Sequence, residues 1–183
     1  PDGRLFAGGD FLTAFPYSAG NFAVWDGVTW FPLGQKTDGL GLNGPVWALA
    51  AAPDGSFYAG GDFTLAGRWA TNLARLRNNA WENVGWIDGW TYALAVAANG
   101  DLYVGGSFSR AGSVAANNAA RWNGTFFSPL GSGISHGDVN ALAVDADGRV
   151  YTGGSFDRAG GMDARGIAMW DGQSWIPLSA PSD

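Results

Sequence analysis

Short apolar stretches separated by turn residues run through the whole chain and recur in a fixed order. Val46 to Ala50, Thr91 to Val96 and Val139 to Val144 are small, apolar and partly alternating, which predicts one strand in each case, labelled strand a. An Asp-Gly or Asn-Gly pair follows each of them. This pair is preferred in two-residue hairpin turns, because both central residues need positive φ. The pattern therefore predicts that strand a turns directly into an antiparallel strand b.

Three further patterns complete each unit. Strand b, from Arg4 to Gly8 in the first unit, ends at paired glycines, and glycine inside a strand marks a bulge or a close approach of another backbone. A longer loop leads to strand c at Phe22 to Trp25 and at Ala119 to Trp122. A second tight turn leads to strand d at Thr29 to Leu33 and at Ser174 to Leu178. No stretch shows helical periodicity, so we expect an all-β protein.

The glycine pair marks the repeat most clearly. Phe-Ala-Gly-Gly-Asp-Phe returns as Tyr-Ala-Gly-Gly-Asp-Phe, Tyr-Val-Gly-Gly-Ser-Phe and Tyr-Thr-Gly-Gly-Ser-Phe, with first glycines at Gly8, Gly60, Gly105 and Gly153. Four antiparallel strands at such a period are typical of a β-propeller blade. We predict a single domain, 1–183, that forms a β-propeller of four-stranded antiparallel blades. Its repeats, about four in number, lie at approximately 1–45, 46–89, 90–137 and 138–183.

The first unit begins at the turn between strands a and b, so we expect it to lack its innermost strand. An open arc of blades would leave unpaired strand edges, which proteins normally protect. Three arrangements remain open: part of a longer propeller, assembly with copies of the same chain, or an imperfect four-bladed ring. Four blades are at the lower end of the usual range of roughly four to eight. We therefore favour an eight-bladed ring made by a homodimer of this chain, or a fragment of a longer propeller chain.

Several segments of the repeat resemble a known group of propellers. Gly-Gly-Asp-Phe, Ala-Asn-Asn-Ala-Ala-Arg-Trp-Asn-Gly and Pro-Leu-Gly-Ser-Gly are similar to the repeats of kelch-like, galactose-oxidase-type β-propellers of bacterial secreted and cell-surface proteins. The resemblance covers essentially the whole chain and implies a fold that hosts enzymes, lectins and interaction platforms alike. Galactose oxidase itself needs a cysteine cross-linked to tyrosine and histidine ligands for copper. This chain has no cysteine and one histidine, so that activity does not carry over.

Charge and composition narrow the possible partners. The 183 residues carry a formal net charge of −6, which argues against nucleic acid, because its binding needs a basic face. No apolar run approaches the roughly 18 residues of a membrane-spanning helix, so we expect no membrane insertion. The lack of cysteine removes disulfides, thiolate metal ligands and cysteine nucleophiles. We expect neither a cofactor nor a metal.

The order of the strands decides which loops share a face of the fold. The b–c and d–a loops lie together on one face, and the two short hairpins lie on the other. The hairpins are nearly uniform in sequence, whereas the other loops differ in length and chemistry, as binding surfaces on a rigid scaffold do. We therefore expect the ligand on the face formed by the b–c and d–a loops, called here the loop face.

Aromatic and charged residues of the loop face are the candidate ligand-binding residues: Arg68, Trp69, Trp86, Asp88, Trp90 and His136. An indole ring stacks on the C–H face of a sugar, while carboxylates and arginines bind its hydroxyls. Trp69 and Trp86 depart from the repeat, whereas Trp25 and Trp170 recur at a fixed position that suits the core. Trp69 and Trp86 are therefore the better candidates, with packing at the core or rim as the alternative.

Other polar residues near this face have simpler interpretations. Arg110 and Arg158 share a repeat position, which favours a salt bridge between blades over a role in ligand binding. His136 stands in a Gly/Ser loop without partners for metal binding or acid–base chemistry, so we expect an exposed loop residue. Asp38 adds a carboxylate in the long polar loop after the first unit.

Two classes of function follow from these observations. We favour a non-catalytic binding or interaction module of a secreted or cell-surface protein, with a protein or carbohydrate ligand on the loop face. The alternative is a propeller-fold enzyme acting on glycans, a lyase or hydrolase with acidic residues near the central channel. The sequence singles out no convergent set of catalytic residues, which supports the first class.

Overall fold

The structure, a computed structural model, describes residues 3–32, 41–66 and 68–179. Strands and turns make up these residues, and none of them is helical, so the all-β prediction is confirmed. This part of the chain accordingly offers no helix of the length and apolarity that a membrane span requires.

Four larger antiparallel sheets follow one another along the chain, and in each the strands pair in sequence order. The first sheet has three strands and the others have four. Their bounds are β1 (Leu5–Gly8), β4 (Phe22–Trp25) and β5 (Trp30–Phe31) in the first sheet; β6 (Val46–Ala51), β7 (Phe57–Gly61), β10 (Leu73–Arg77) and β11 (Ala80–Asn83) in the second; β12 (Trp90–Val96), β13 (Leu102–Ser107), β16 (Ala119–Trp122) and β17 (Phe127–Pro129) in the third; and β19 (Val139–Val144), β20 (Val150–Gly154), β23 (Ile167–Trp170) and β24 (Trp175–Pro177) in the fourth.

The segment between strands b and c is more than the loop that we expected, because it holds a small hairpin in every unit. Strands of two residues are too short to show an alternating pattern, which is why the sequence did not reveal them. The hairpins are β2 (Thr13–Ala14) with β3 (Tyr17–Ser18), β8 (Leu65–Ala66) with β9 (Arg68–Trp69), β14 (Arg110–Ala111) with β15 (Val114–Ala115), and β21 (Arg158–Ala159) with β22 (Met162–Asp163), to which β18 (Ile134–Ser135) is added.

Three apolar clusters form the core, and each lies between one larger sheet and the next. Between the first and second sheets, the rings of Phe6 and Phe57 stack at 3.9 Å between centroids. The ring of Phe22 meets the indole of Trp81 edge-on at 5.1 Å. Aromatic pairs of this kind add about 0.5–1.5 kcal/mol beyond the area that they bury. The core is thus a series of junctions between successive sheets.

The glycine pairs lie where two strands approach closely. A Cβ on Gly105 would lie 2.5 Å from Cγ1 of Val139 in the next sheet, and a Cβ on Gly106 would overlap the carbonyl oxygen of Trp90 in its own sheet. Opposite the glycines, the register of the inner strand shifts between Thr91 and Ala93. The same shift occurs in β6 and β19. The expected close approach is therefore present, and each inner strand of these three sheets carries a bulge.

An acidic or amide side chain closes the turn between strands c and d in the first, third and fourth sheets. Oδ1 of Asp171 accepts hydrogen bonds from the backbone N–H groups of Gln173 (2.8 Å) and Ser174 (2.7 Å). These backbone hydrogen bonds, the one from Ser174 above all, hold the pKa of the Asp171 carboxyl below its ordinary value. In the third sheet Asn123 makes the same two bonds with a neutral amide oxygen. A neutral amide oxygen therefore closes this turn as a carboxylate does, whereas the second sheet has Arg77 at the equivalent position and turns through Asn78 and Asn79, both at positive φ.

We expect the Asp171→Asn variant to be folded at neutral pH. As the pH falls, it should lose less unfolding free energy than the parent protein. A carboxyl with a lowered folded pKa stabilises the fold above its unfolded pKa of about 3.9, and this contribution is lost as the pH falls through the folded pKa. Urea unfolding between about pH 6 and pH 2 should show a shallower decline for the variant than for the parent. Equal declines for the two proteins would contradict this assignment.

Candidate functional site

The loops of the predicted loop face do lie against one another. Each d–a segment pairs with the small hairpin of the unit that follows: Leu42 bridges to Ala66, Ile87 bridges to Ala111, and β18 pairs with β21. The b–c hairpins and the d–a segments therefore form one connected surface layer.

One asparagine ties each of the first three sheets to the segment that follows it. Asn72 accepts a hydrogen bond from the backbone N–H of Phe63 (3.0 Å) and donates one from Nδ2 to the carbonyl of Ile87 (3.2 Å). Asn21 and Asn118 make equivalent bonds, and all three have φ between 62° and 66°. Asparagine tolerates this left-handed backbone better than most residues. The loop face is thus held by side chains that span two units.

Three aromatic residues gather where the inner strands β6 and β12 begin, at the loop face. Trp47 lies 6.2 Å from Trp90 with an interplanar angle of 86°, and 5.2 Å from Tyr92 with an angle of 38°. Trp47 and Trp90 are 43% and 47% exposed, so these large apolar side chains are not part of the core. We call Trp47, Trp90 and Tyr92 the aromatic cluster.

The bulges place two of these side chains. The register shifts between Val46 and Ala48 in one strand and between Thr91 and Ala93 in the next, so Trp47 and Tyr92 are the extra residues. A bulge re-aims the side chain that it carries, and bulges are common beside functional sites. The aromatic cluster thus follows from the same backbone feature that requires the paired glycines.

Two carboxylates lie within electrostatic range of Tyr92 in the aromatic cluster. Burial raises the pKa of the Tyr92 hydroxyl, and the negative charges of Asp138 and Asp62 raise it further. Asp62 directly follows β7 and is exposed, and Asp138 directly precedes β19 and is half-buried. Aromatic faces and negative charges therefore lie together at the loop end of the inner strands.

The residues predicted from sequence are dispersed over the loop face. Trp90 belongs to the aromatic cluster, whereas Trp69 is 80% exposed on β9, which lies against the outer strand β11. Trp86 lines a separate cavity of about 610 Å³ together with Phe126. The backbone of Arg68 forms part of β9, while its side chain and all of Asp38 lie outside the described residues.

Asp88 and His136 both contribute to loop conformation. The Asp88 carboxylate accepts hydrogen bonds from the backbone N–H groups of Ser109 (2.9 Å) and Arg110 (2.8 Å) and from the Ser109 hydroxyl. Burial opposes ionisation of Asp88, but these hydrogen bonds outweigh it and lower the pKa of the carboxyl. His136 is exposed, has a φ of 59°, and accepts a hydrogen bond at its carbonyl from Asp157 (3.3 Å).

The salt bridge expected between blades at Arg110 and Arg158 is wrong. Arg158 pairs with Asp163 (3.4 Å), and Arg110 donates to the carbonyl of Ser113 (2.9 Å). Both partners belong to the arginine's own b–c hairpin, because the hairpin turns the chain back within reach of the guanidinium. The hairpin that sequence reasoning missed is therefore also the reason for this error.

Sequence reasoning also missed Trp47, Tyr92 and the two carboxylates. A signal was present: Trp47, Tyr92 and Asn140 occupy one repeat position in front of an unchanging Ala-Leu-Ala. Variation at one position inside an otherwise constant strand marks a side chain that the core does not constrain. In the described part of the chain, no group of three or more His, Asp or Glu side chains could hold a metal ion.

Comparison with known proteins supports the fold. A family model described as a domain of unknown function with a beta-propeller (DUF5122) matches residues 52–79, and no curated protein matches the sequence significantly. The extracellular domain of a putative hybrid two-component system from B. thetaiotaomicron superimposes with a TM-score of 0.60 at 13% identity, over 100% of this chain and 22% of that one. The fold is that of a β-propeller.

Two other solved structures are similar over most of the chain. A putative gluconolactonase superimposes with a TM-score of 0.54 at 19% identity. The superposition covers 86% of this chain and 56% of the gluconolactonase chain. YCF48 bound to D1 peptide has a TM-score of 0.50 at 14% identity, over 91% and 48% respectively. The chain thus spans about a fifth to a little over half of the length of these proteins. At such identities the likeness concerns the fold alone.

Proposed function

We propose that the chain is a non-catalytic binding module that holds a cationic side chain of a protein ligand on the aromatic cluster. The observation that carries this proposal is the cluster itself, with Trp47 and Trp90 nearly half exposed and with Asp138 and Asp62 near enough to raise the pKa of Tyr92. A lysine or arginine over an aromatic face gains about 0.5–2 kcal/mol. The net charge of −6 adds a long-range attraction for a basic partner.

The angle between the rings favours a cation over a sugar. Trp47 and Trp90 meet edge to face at 86°, so the two rings do not form one flat platform. A pyranose ring needs such a flat aromatic face for stacking, whereas a compact cation can bind over the exposed part of a single ring. Asp62 and Asp138 would add charge attraction that a neutral sugar does not gain.

We further propose that the four larger sheets are blades, of the kelch-like kind that the repeats resemble, and that the module belongs to a secreted or cell-surface protein. The extracellular domain among the similar structures supports this location. The peptide-bound structure supports a peptide ligand for the fold.

The Trp47→Ala and Trp90→Ala variants should lose binding to basic peptides while remaining folded. We would measure retention on an array of lysine- and arginine-rich peptides beside a glycan array. Each variant should bind basic peptides roughly tenfold more weakly, because one cation–π contact is worth up to about 2 kcal/mol. Raising the salt from about 0.05 to 0.5 M should weaken binding by the parent.

Trp69→Ala is the matched control, since Trp69 is a more exposed tryptophan outside the aromatic cluster. It should retain the binding of the parent. If the protein were retained on neutral glycans and this retention needed Trp47 and Trp90, the aromatic cluster would still be the binding site. The ligand would then be a carbohydrate and not a basic peptide. Equal retention by parent and both cluster variants, or no retention of the parent on either array, would refute the proposal.

The putative gluconolactonase among the similar structures favours a second candidate, an enzyme acting on a sugar derivative through Asp62 and Asp138. The test is the hydrolysis of gluconolactone, measured at constant pH as the amount of acid released. Catalysed release that is abolished in Asp62→Asn or Asp138→Asn would establish the enzyme in place of the binding module. A rate equal to that of the spontaneous reaction would exclude this activity.

A further inference from the structure

The first and the fourth sheet each have one exposed face. The equivalent faces of the other sheets are buried. In the first three sheets, Phe22, Leu73 and Ala119 occupy one repeat position that points to the following sheet, and all three are fully buried. The equivalent residue of the fourth sheet is Ile167, which is 44% exposed. The fourth sheet therefore has an apolar face of the same design without a sheet against it in the described residues.

The opposite face of the first sheet shows the complementary pattern. Leu5 is 57% exposed, whereas its equivalents in the third and fourth sheets, Leu102 and Val150, are fully buried against the preceding sheet. A mainly apolar groove of about 380 Å³ runs over this face, with Ala7 and Trp30 among its lining residues. The two exposed faces are thus the two halves of a junction that occurs three times within the chain.

Gly153, near the inner strand of the fourth sheet, shows in the same way that no further sheet packs there among the described residues. A Cβ on Gly8 or Gly105 would press on a valine of the following sheet. A Cβ on Gly153, the equivalent residue of the fourth sheet, would meet only Cβ of Ala141 in its own sheet, at 3.8 Å. The space that a following sheet fills elsewhere is open at the fourth sheet.

From these faces we infer that two copies of this chain dock head to tail, with the fourth sheet of each copy against the first sheet of the other. Such a heterologous contact closes into a ring when the rotation between units allows it. Two chains with four larger sheets each give eight, which is within the usual range of roughly four to eight blades.

The junction between the copies would differ from the internal junctions in one polar contact. In the first three units Asn21, Asn72 or Asn118 donates to the segment that leads into the next inner strand. The equivalent residue of the fourth unit is Gly166, which has no side chain to donate. The proposed docking therefore depends on the two apolar faces.

The internal junctions also predict which residues meet between the copies. Phe6 stacks on Phe57 within the chain, and Tyr151 and Leu5 occupy the equivalent positions on the exposed faces. We therefore expect Tyr151 of one copy to lie against Leu5 of the second copy. This contact gives a direct test, because the chain contains no cysteine of its own.

The native mass should be twice the 19.0 kDa of the chain, measured by light scattering over a dilution series. Ile167→Arg should give the monomer mass, since it places a charge on the buried side of the proposed junction. Phe126→Arg is the matched control, because Phe126 is an exposed apolar residue of an internal unit, and it should leave the mass unchanged. A parent mass of one chain at every concentration would overturn the inference.

A second test does not depend on a destabilising variant. The double variant Leu5→Cys, Tyr151→Cys should form a covalent dimer on oxidation or with a short bis-maleimide, and the pair Leu5→Cys, Phe126→Cys should not. Equal cross-linking of both pairs would show random collision and refute the docking geometry. This inference is independent of the ligand proposed for the aromatic cluster, so either can fail alone.

Discussion

Gly105→Ala should destabilise the protein by about 3 kcal/mol, within the range for overpacked cores. The new methyl group would lie 2.5 Å from Cγ1 and 3.1 Å from Cβ of Val139, and 3.1 Å from Cδ1 of Leu142. Val139 is fully buried and β-branched, so it cannot rotate away. The midpoint temperature of thermal unfolding should fall by roughly 10 °C for a chain of this length.

Gly153→Ala is the control that the repeat itself provides. Gly153 occupies the equivalent position, but its added methyl group would meet nothing closer than 3.8 Å. The variant should unfold within about 0.5 kcal/mol of the parent, as for an ordinary surface substitution. Similar losses for Gly105→Ala and Gly153→Ala would show that the close approach between sheets is not the reason for glycine here.

Asn72→Ala should cost about 3 kcal/mol of unfolding free energy. It leaves the backbone N–H of Phe63 and the carbonyl of Ile87 without their partner, and each unsatisfied buried group costs about 1–3 kcal/mol. The loss arises between two units, so we expect the junction to open before the sheets melt. Urea unfolding gives the magnitude, and hydrogen exchange at Phe63 and Ile87 gives the location.

Asn79→Ala separates this effect from backbone strain. Asn79 has a similar left-handed φ of 58° but lies exposed in the turn between strands c and d. Both variants pay the cost of alanine in this conformation, about 1 kcal/mol, and only Asn72→Ala also loses the bridge. A loss of stability at Asn79 equal to that at Asn72 would contradict a bridging role.

The regular part of the fold could be predicted from sequence because it is dictated locally. Strands such as β19 (Val139–Val144) and β16 (Ala119–Trp122) lie where the apolar pattern predicts them, and each is followed by a turn with glycine at positive φ, Gly148 and Gly124. The small hairpins could not be found in this way, since strands of two residues have no period. Their pairing with the d–a segments depends on residues far apart in the chain.

The candidate site was only partly predictable, and the reason is again distance along the chain. Trp90 was identified, but Trp47 lies in the preceding sheet and meets Trp90 only when the inner strands lie side by side. Trp69 and Trp86 depart from the repeat, but Trp69 lies near an outer strand and Trp86 lines a separate cavity. A residue that departs from a repeat stands out in the sequence, but this departure does not indicate where the residue lies in the fold.

The bulges in the inner strands have a consequence for how this protein changes over generations. The extra residue of each bulge has no partner in the strand ladder, so the register of the sheet does not fix its identity. Positions 47, 92 and 140 already hold tryptophan, tyrosine and asparagine on the same Ala-Leu-Ala framework. We expect substitutions at these three positions to leave the fold intact. Heritable change in the side chains at the loop end of the inner strands is therefore separated from the inherited scaffold.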